Sequence, residues 1–276
     1  MSLVYDGFLF FNELDLLEIR LNELNSVVDK FVLVESALTH ASKEKPYYFE
    51  ANKQRYRKFL DKIIHVKVND RPVIPPSLGR GGIYHNRHEM EWFQRDCIGR
   101  GFNKCQEDDI VMISDVDEIP TVESVKICKD LLKSKDVAVS FDQLLFYYKL
   151  NGLCINHSNR PEKWSGTVAC KYKDFKGAQN MRNTKGRNAD RIRNGGWHFS
   201  YLGGPAAIAK KIESYSHAEW DNDFIKDPKR IEKCIESGKD LFERADKPRQ
   251  KYIKMDASFP KYVLENLEKY KGFIKT

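Results

Sequence analysis

The stretch IVMISDVDEIP, residues Ile110–Pro120, is an apolar run that ends in three carboxylates within four residues. Its first part, Ile110–Ile113, has the pattern of a buried parallel strand. Asp115, Asp117 and Glu118, here called the acid cluster, follow at the carboxyl end of that strand, where open α/β sheets place their ligands. The stretch therefore predicts an α/β fold with a ligand site at this edge of the sheet.

The spacing of Asp115 and Asp117 also predicts a metal site. With one residue between them on a tight turn, both carboxylates can face one hard cation. Mg²⁺ or Mn²⁺ bound in this way is completed by waters and substrate phosphates, which indicates a nucleotide-diphosphate ligand. The alternatives are a solvated loop for the two aspartates and, for Glu118, a capping role at the helix that starts near Pro120–Glu123.

Strands and helices alternate along the first half of the chain. This rhythm favours βαβ crossovers and a Rossmann-like, mostly parallel sheet flanked by helices. Residues 71–84 are rich in Pro and Gly and predict a surface loop over the site. The predicted strands are Tyr5–Phe11, Phe31–Glu35, Ile63–Val68 and Asp109–Ser114, and the predicted helices are 12–24, 46–59 and 86–100.

The second half has a different pattern. Val137–Phe141 and Leu144–Leu150 predict two further strands, and the chain from Pro228 onward is charged and predicts helix. No stretch is rich enough in Pro, Gly or Ser to be a domain linker. We expect one domain at 4–225, with a nucleotide-sugar half at 4–120 and an acceptor half at 121–225, and a charged helical extension at 226–276 packed on it.

The composition is that of a soluble globular protein. The 276 residues are 41% hydrophobic and 32% charged, with a formal net charge of +7. There is no apolar run of the roughly 18 residues that a membrane span needs and no signal-peptide pattern, so we expect a cytoplasmic or otherwise soluble protein. Basic residues are mixed with acids except in the run Lys171–Arg193, which favours a local anion site over nucleic acid.

Three passages carry a more specific signal: Tyr5–Leu21, Ile113–Pro120 and Gly195–Gly204. Together they resemble glycosyltransferase family 17, and the resemblance extends to about Trp220. It implies a GT-A fold with a metal motif for Mn²⁺ or Mg²⁺ at the two aspartates of the acid cluster. It also implies inverting, β-linked transfer of a sugar, N-acetylglucosamine first, from a UDP-sugar to a glycan such as a mannose-containing one. The sequence lacks the membrane anchor and stem of the family's animal members, which leaves a different acceptor open.

The resemblance and the residue types together assign roles in a metal site. Asp117 is expected to bind the metal directly, and Asp115 to bind the ribose or a metal-bound water. His198 follows two glycines, Gly195 and Gly196, which permit close backbone approach to a ligand. We expect His198 as a third metal ligand, with a hydrogen-bonded core histidine as the alternative.

Arginines are the expected contacts to the donor. Arg95 is predicted to reach a phosphate or the uracil with its fork of donors, and the alternative is a surface pair with Asp96 or Glu91. Arg187 and Arg191 belong to a basic Gly- and Asn-rich segment. They are predicted to close over the pyrophosphate, and the alternative is a solvated loop.

Four other polar residues are candidates. Glu35 follows an apolar strand and is predicted to orient donor groups near Asn12, or else to cap the next loop. Inversion in one displacement needs a group that removes the proton of the acceptor hydroxyl. Glu219, beside His217, is the first choice for this role, and Asp142 is the second.

Two other functions compete with sugar transfer. Acids at a strand end also serve phosphoryl chemistry, so a metal-dependent nucleotidyltransferase or phosphohydrolase is the alternative enzyme. Nucleotidyltransferases usually have a Gly-rich loop after the first strand, and Phe11–Leu14 contains no glycine. The remaining alternative is an inactive module that binds glycans or nucleic acid.

Overall fold

The computed structural model describes residues 2–72, 82–184, 189–244 and 249–276. Short 3₁₀ helices follow two of the α-helices, at Lys53–Phe59 and Cys97–Phe102. In chain order the elements are β1 (Val4–Leu9), α1 (Leu14–Leu24), β2 (Lys30–Ser36), α2 (Tyr48–Asn52), β3 (Ile63–Val68), α3 (Gly82–Asp96), β4 (Ile110–Asp115), β5 (Glu118–Pro120), α4 (Val122–Ser134), β6 (Ala138–Tyr147), β7 (Gly152–Ile155), β8 (Lys163–Lys171), α5 (Ala178–Thr184), β9 (Ala189–Ser200), α6 (Pro205–Ser214), α7 (Asp223–Lys226), α8 (Pro228–Ser237), β10 (Arg249–Tyr252), α9 (Lys261–Leu264) and α10 (Leu267–Tyr270).

One twisted sheet organises the molecule. The strands β3, β2, β1 and β4 lie side by side and are all parallel. Strand β8 pairs antiparallel with β4, and β6, β7 and β10 continue the sheet beyond it. Strand β9 pairs parallel with β6 and antiparallel with β5. The predicted α/β fold, with a mostly parallel sheet flanked by helices, is confirmed.

The parallel part of the sheet is covered on both faces. On one face, Leu17 and Leu21 of α1 pack with Leu33 of β2. On the other face, Phe102 of the 3₁₀ helix packs with Val32, the neighbour of Leu33, because successive strand residues point to opposite faces. Burial on both sides explains why these strands are continuously apolar and were visible in the sequence.

A glycine in β9 allows this strand to approach β5 closely. Gly196 has a φ of +146°, and a Cβ at this position would lie 2.1 Å from the carbonyl oxygen of Ile119. The sequence predicted that Gly195 and Gly196 approach a ligand, whereas Gly196 in fact approaches the backbone of β5. In the resulting register Glu118 lies opposite His198, so the histidine is placed beside the acid cluster.

The second half differs from the prediction in two places. The two strands predicted at 137–150 are one strand, β6, because a bulge after Ser140 accommodates the polar residues in its middle. Gln143 is fully buried there and accepts a hydrogen bond from the backbone N–H of Thr167. The segment 226–276 is not only helical, because it also contributes the edge strand β10, which has too few apolar residues to be recognised. The predicted boundaries of the two halves stay predictions.

Among the described residues, no helix is long and apolar enough to cross a membrane. The six cysteines are unpaired, and five of them are buried. Burial raises the pKa of the Cys97 thiol to about 11, which keeps it protonated and unreactive near neutral pH.

A buried arginine ties the first helix to the acid cluster. The side chains of Arg20, on α1, and Asp6, on β1, are both 0% exposed, and Arg20 Nε donates to Asp6 Oδ2 at 2.8 Å. Arg20 Nη2 donates to Ser114 Oγ at 2.6 Å. Its Nη1 donates to the carbonyl oxygens of Asp115 at 3.2 Å and Glu118 at 2.7 Å. One guanidinium therefore fixes the turn between β4 and β5.

We predict that Arg20→Met lowers the free energy of unfolding by about 3–5 kcal/mol, because it leaves the buried carboxylate of Asp6 without its partner. Urea unfolding followed by circular dichroism measures the loss. The exposed Arg57, replaced in the same way, is the control and should change stability by less than about 0.5 kcal/mol. A loss below about 1 kcal/mol in Arg20→Met would contradict the structural role of this pair.

Candidate active site

A cleft of about 520 Å³ opens at the carboxyl edge of the parallel strands. Its walls come from the end of β1, from α3, from the turn between β4 and β5, from β9, and from α6 and the loop after it. This volume is within the range of pockets that hold small-molecule ligands and cofactors. The acid cluster lines it, as the sequence predicted.

Asp115 is held by two arginines. Its Oδ1 lies 3.2 Å from Nη2 of Arg95, and its Oδ2 lies 3.1 Å from Nη2 of Arg182. The side chain is still 34% exposed, so it remains accessible from the cleft. Asp115 is therefore a carboxylate of fixed orientation at the cleft surface.

Glu118 is an internal anchor and not a helix cap. It is fully buried, and Arg182 forms hydrogen bonds to both of its carboxylate oxygens. Trp164 donates its indole N–H to the same carboxylate at 2.6 Å. Helix α4 is capped instead by Thr121, whose Oγ1 accepts the backbone N–H of Ser124 at 3.0 Å. The capping alternative for Glu118 is wrong.

Asp117 is a nearly buried acid of the cleft wall. Its side chain is 6% exposed, with Nζ of Lys211 at 2.8 Å and Nε2 of His198 at 3.6 Å. Burial acts to raise the pKa of Asp117, but Lys211 and His198 hold it well below the usual range. Burial acts to lower the pKa of Lys211, but the carboxylate of Asp117 acts in the opposite direction, and the pKa lies above its usual value. Both groups are therefore charged at neutral pH.

His198 lies between Asp117 and the ring of Trp164, whose centroid is 5.0 Å away. Its Nδ1 is buried and has no hydrogen-bond partner among the residues that the structure describes, and its Nε2 faces Asp117. The two roles considered for His198, metal ligand and core histidine, both stay predictions. Carboxylates suit Mn²⁺ and Mg²⁺, and a neutral imidazole is a common metal ligand.

The residues present fit a metal ion only in part. Asp117 and His198 are close together, and Asp115 lines the same cleft. Among the residues that the structure describes, no group of three or more His, Cys, Asp and Glu side chains is arranged to hold a metal. A cation here would therefore take most of its ligands from donor phosphates and water, which is how Mg²⁺ is commonly bound.

Arg95 is buried and lines the cleft. Its pair with Glu91, one of the two alternatives, is present at 2.6 Å, but it forms inside the protein and not at the surface. Arg95 also contacts Asp115 and Gln179, and its Nε has no hydrogen-bond partner among the described residues. Buried donors and acceptors are nearly always paired in folded proteins, so such a group at a cleft indicates a ligand.

His40 adds a further unpaired polar atom to the same cleft. Within the described part of the chain its Nδ1 is buried without a partner, and burial lowers the pKa of its imidazole, so the ring is neutral at neutral pH. Three residues of the cleft lining, His40, Arg95 and His198, therefore each carry a buried polar atom without a protein partner among the described residues. Such atoms favour a polar ligand or ordered water at this cleft.

Several predicted residues lie outside the cleft lining. Glu35 is fully buried and accepts the backbone N–H of Phe49 at the start of α2, which matches the capping alternative. The cleft is lined by Phe11 and Glu13, the two neighbours of Asn12, and Asn12 itself is not part of the lining. Glu35 influences the cleft through Lys45, a lining residue 3.7 Å away.

The predicted acceptor-side residues are also displaced. Asp142 lies in β6, 3.5 Å from Arg191, and neither lines the cleft. Arg187 lies outside the described residues. Glu219 is not part of the lining. Its Oε1 lies 2.9 Å from Nδ1 of His217, and His217 does line the cleft.

Sequence reasoning missed three cleft residues of importance. Arg182 lay in the basic run that the sequence marked, but nothing singled it out from its neighbours. Lys211 belongs to an ordinary amphipathic helix, α6, and carries no local signal. His217 was expected only as part of a sugar-facing surface beside Glu219. All three are identified by contacts with residues far away in the sequence, namely Glu118, Asp117 and His88 respectively, which periodicity does not report.

We predict that Lys211→Met lowers the free energy of unfolding by about 3 kcal/mol at pH 7, because the buried carboxylate of Asp117 loses its closest cation. The loss should shrink as the pH falls toward 4. In the variant, the unpaired and buried Asp117 takes up a proton in this pH range. In the wild type, Lys211 keeps Asp117 ionised even at pH values below the ordinary aspartate pKa of about 3.9.

Denaturant unfolding of both proteins from pH 7 to pH 4 tests this. Lys210→Met removes the exposed neighbouring lysine and should have an effect of less than about 0.5 kcal/mol. A Lys211→Met loss that stays constant over this pH range would show that Asp117 is not the group left unpaired.

Comparisons with known proteins agree with the resemblance seen in the sequence. The sequence model of Glycosyltransferase family 17 matches residues 1–274. The chain is 28% identical over 120 residues to the beta-1,4-mannosyl-glycoprotein 4-beta-N-acetylglucosaminyltransferases of Homo sapiens and Rattus norvegicus. This match covers 43% of the chain but only 22% of the length of those relatives.

Solved structures resemble the chain more distantly. The inositol-1-phosphate CTP transferase of T. maritima is 11% identical, with a TM-score of 0.38, over 77% of this chain and 94% of that one. The 4-diphosphocytidyl-2C-methyl-D-erythritol synthase of Anaerococcus prevotii is 9% identical, with a TM-score of 0.38, over 70% and 87%. The family match, in contrast, spans nearly the whole sequence: the chain belongs to glycosyltransferase family 17.

Proposed function

We propose that the chain transfers N-acetylglucosamine from UDP-N-acetylglucosamine, with inversion, to a hydroxyl of a glycan. A mannose-containing glycan is the first acceptor to test, because it is named in the human and rat relatives. The observation that carries the proposal is the cluster of Asp117, His198 and Lys211. It faces the cleft beside Asp115 in a chain whose family transfers sugars.

The charges of the cleft support a divalent cation as cofactor. The described residues that line it include five carboxylates and four Lys or Arg side chains. The cations are already used in ion pairs such as Lys211 with Asp117 and Arg182 with Glu118. A diphosphate would bring further negative charge into this acid-rich cleft, and Mn²⁺ or Mg²⁺ would offset it.

Asp117 and His198 are the residues that would hold this cation, and Asp115 would bind the ribose or a metal-bound water. When bound, the metal would neutralise the charge that develops on the departing UDP. Arg95, which lines the cleft beside Asp115, is the arginine best placed to donate to the donor nucleotide. Arg182 acts on Asp115 and Glu118 and keeps the acid cluster in place.

We predict that UDP-N-acetylglucosamine binds about tenfold more tightly in Mn²⁺ than in EDTA, a difference of about 1.4 kcal/mol. Asp117→Asn should abolish this metal dependence, because it removes the charged ligand while keeping the size of the side chain. Isothermal titration calorimetry measures both effects, with circular dichroism to verify folding.

The matched control is Asp130→Asn, because the side chain of Asp130 is 73% exposed on α4 and away from the cleft. It should bind the donor as the wild type does. Donor binding that ignores both Mn²⁺ and Asp117→Asn would overturn the assignment of the metal site. Absence of donor binding in the wild type would overturn the proposed function.

A further inference from the structure

The loop after α6 places a histidine and a glutamate together at the wall of the cleft. His217 lines the cleft, and its side chain is 48% exposed. Its Nδ1 lies 2.9 Å from Oε1 of Glu219. A carboxylate only accepts at this distance, so Nδ1 carries the hydrogen and Nε2 of the neutral ring keeps its lone pair. The pair has the arrangement of a histidine oriented by a carboxylate.

This loop is fixed to the body of the protein at two points. Asp221 pairs with Arg87 of α3 at 2.7 Å and with Lys226 of α7 at 2.9 Å. The ring of His88, also on α3, packs edge-on against His217 with centroids 5.3 Å apart. His217 is thus held in place although about half of its side chain is exposed.

The carboxylates that line the cleft already have partners within the protein. For Glu91, Arg95 holds the pKa well below the usual range although burial acts to raise it, so this carboxylate is a weak base. The partners of the lining carboxylates are as follows: Glu91 with Arg95, Asp117 with Lys211, Glu118 with Arg182, Asp115 with both arginines, and Glu13 with the backbone N–H groups of Phe11 and Asn12.

The same wall offers a surface for a sugar. Trp92 lines the cleft, is 37% exposed, and lies with its ring centroid 6.0 Å from that of His88, which packs on His217. A partly exposed indole in a polar cleft presents a flat apolar face on which a sugar ring can pack. An acceptor on Trp92 would lie on the side of the cleft that carries His217.

We propose that His217 is the proton acceptor of the transfer reaction, that Glu219 is a positioning residue for its imidazole, and that the acceptor sugar packs on Trp92. This inference rests on the proposed function and completes it. It replaces direct proton transfer to Glu219, which does not line the cleft, with transfer to the histidine that Glu219 orients.

In the proposed transfer, one bond forms, one bond breaks and one proton moves. The acceptor oxygen forms a bond to the anomeric carbon of the donor sugar, and its proton passes to Nε2 of His217. The bond between the anomeric carbon and the β-phosphate oxygen breaks, and its electron pair leaves with UDP. The imidazolium is stabilised by the carboxylate of Glu219 and later returns its proton to solvent.

The test compares His217→Ala, Glu219→Gln and the control His157→Ala, which removes an exposed histidine outside the cleft lining. His217→Ala should lower kcat by about 10²- to 10⁴-fold, the usual range for loss of a general base, with the Kd for UDP-N-acetylglucosamine unchanged within about twofold. Added imidazole should restore part of the activity in a saturable way. Glu219→Gln should lower kcat less, and His157→Ala should be fully active.

Three results would overturn the proposal. The first is a His217→Ala variant that retains transfer within about threefold of the wild type. The second is a loss of activity that imidazole does not restore, which is the result of a structural defect. The third is rescue by imidazole of His88→Ala in place of His217→Ala, which would move the role to that histidine. A wild-type chain that transfers no sugar would overturn the proposed function as well, so the two failures are distinguishable.

Discussion

The buried pair of Arg20 and Asp6 is the constraint on which the rest of the site depends. It joins α1 to β1 and, through the carbonyl oxygens of Asp115 and Glu118, fixes the turn that carries the acid cluster. A charge buried in this way is costly to leave unpaired, so all of its hydrogen-bond partners must be in place together. The turn is therefore set by folding itself, before any ligand binds.

On this fixed turn, the acids pair with cations from three helices. Asp117 pairs with Lys211 of α6 and Glu118 with Arg182 of α5. Asp115 pairs with the same Arg182 and with Arg95 of α3. The site thus gathers opposite charges at close range in a poorly solvated cleft, where they act more strongly than in water. Preorganised charges of this kind stabilise charge that develops in a reaction, as on a departing nucleoside diphosphate.

Sequence periodicity predicted the parallel half of the sheet and the place of the acid cluster, because both depend on local patterns of apolar residues. The residue types around His198 and the family resemblance predicted that it belongs beside the acids, although Gly196 serves the contact with β5. Periodicity could not predict Arg182, Lys211 or His217. Their places follow from the register of β9 against β5 and β6 and from helix packing, which join residues far apart in sequence.

The central claim is that the acid cluster is the donor site, and a crystal structure of the chain with Mn²⁺ and UDP-N-acetylglucosamine tests it most directly. The account predicts the metal at Asp117 and His198, the diphosphate in the cleft beside Arg95, and the sugar facing His217. A nucleotide bound elsewhere, with the ion pair of Asp117 and Lys211 undisturbed and no metal beside it, would contradict the account.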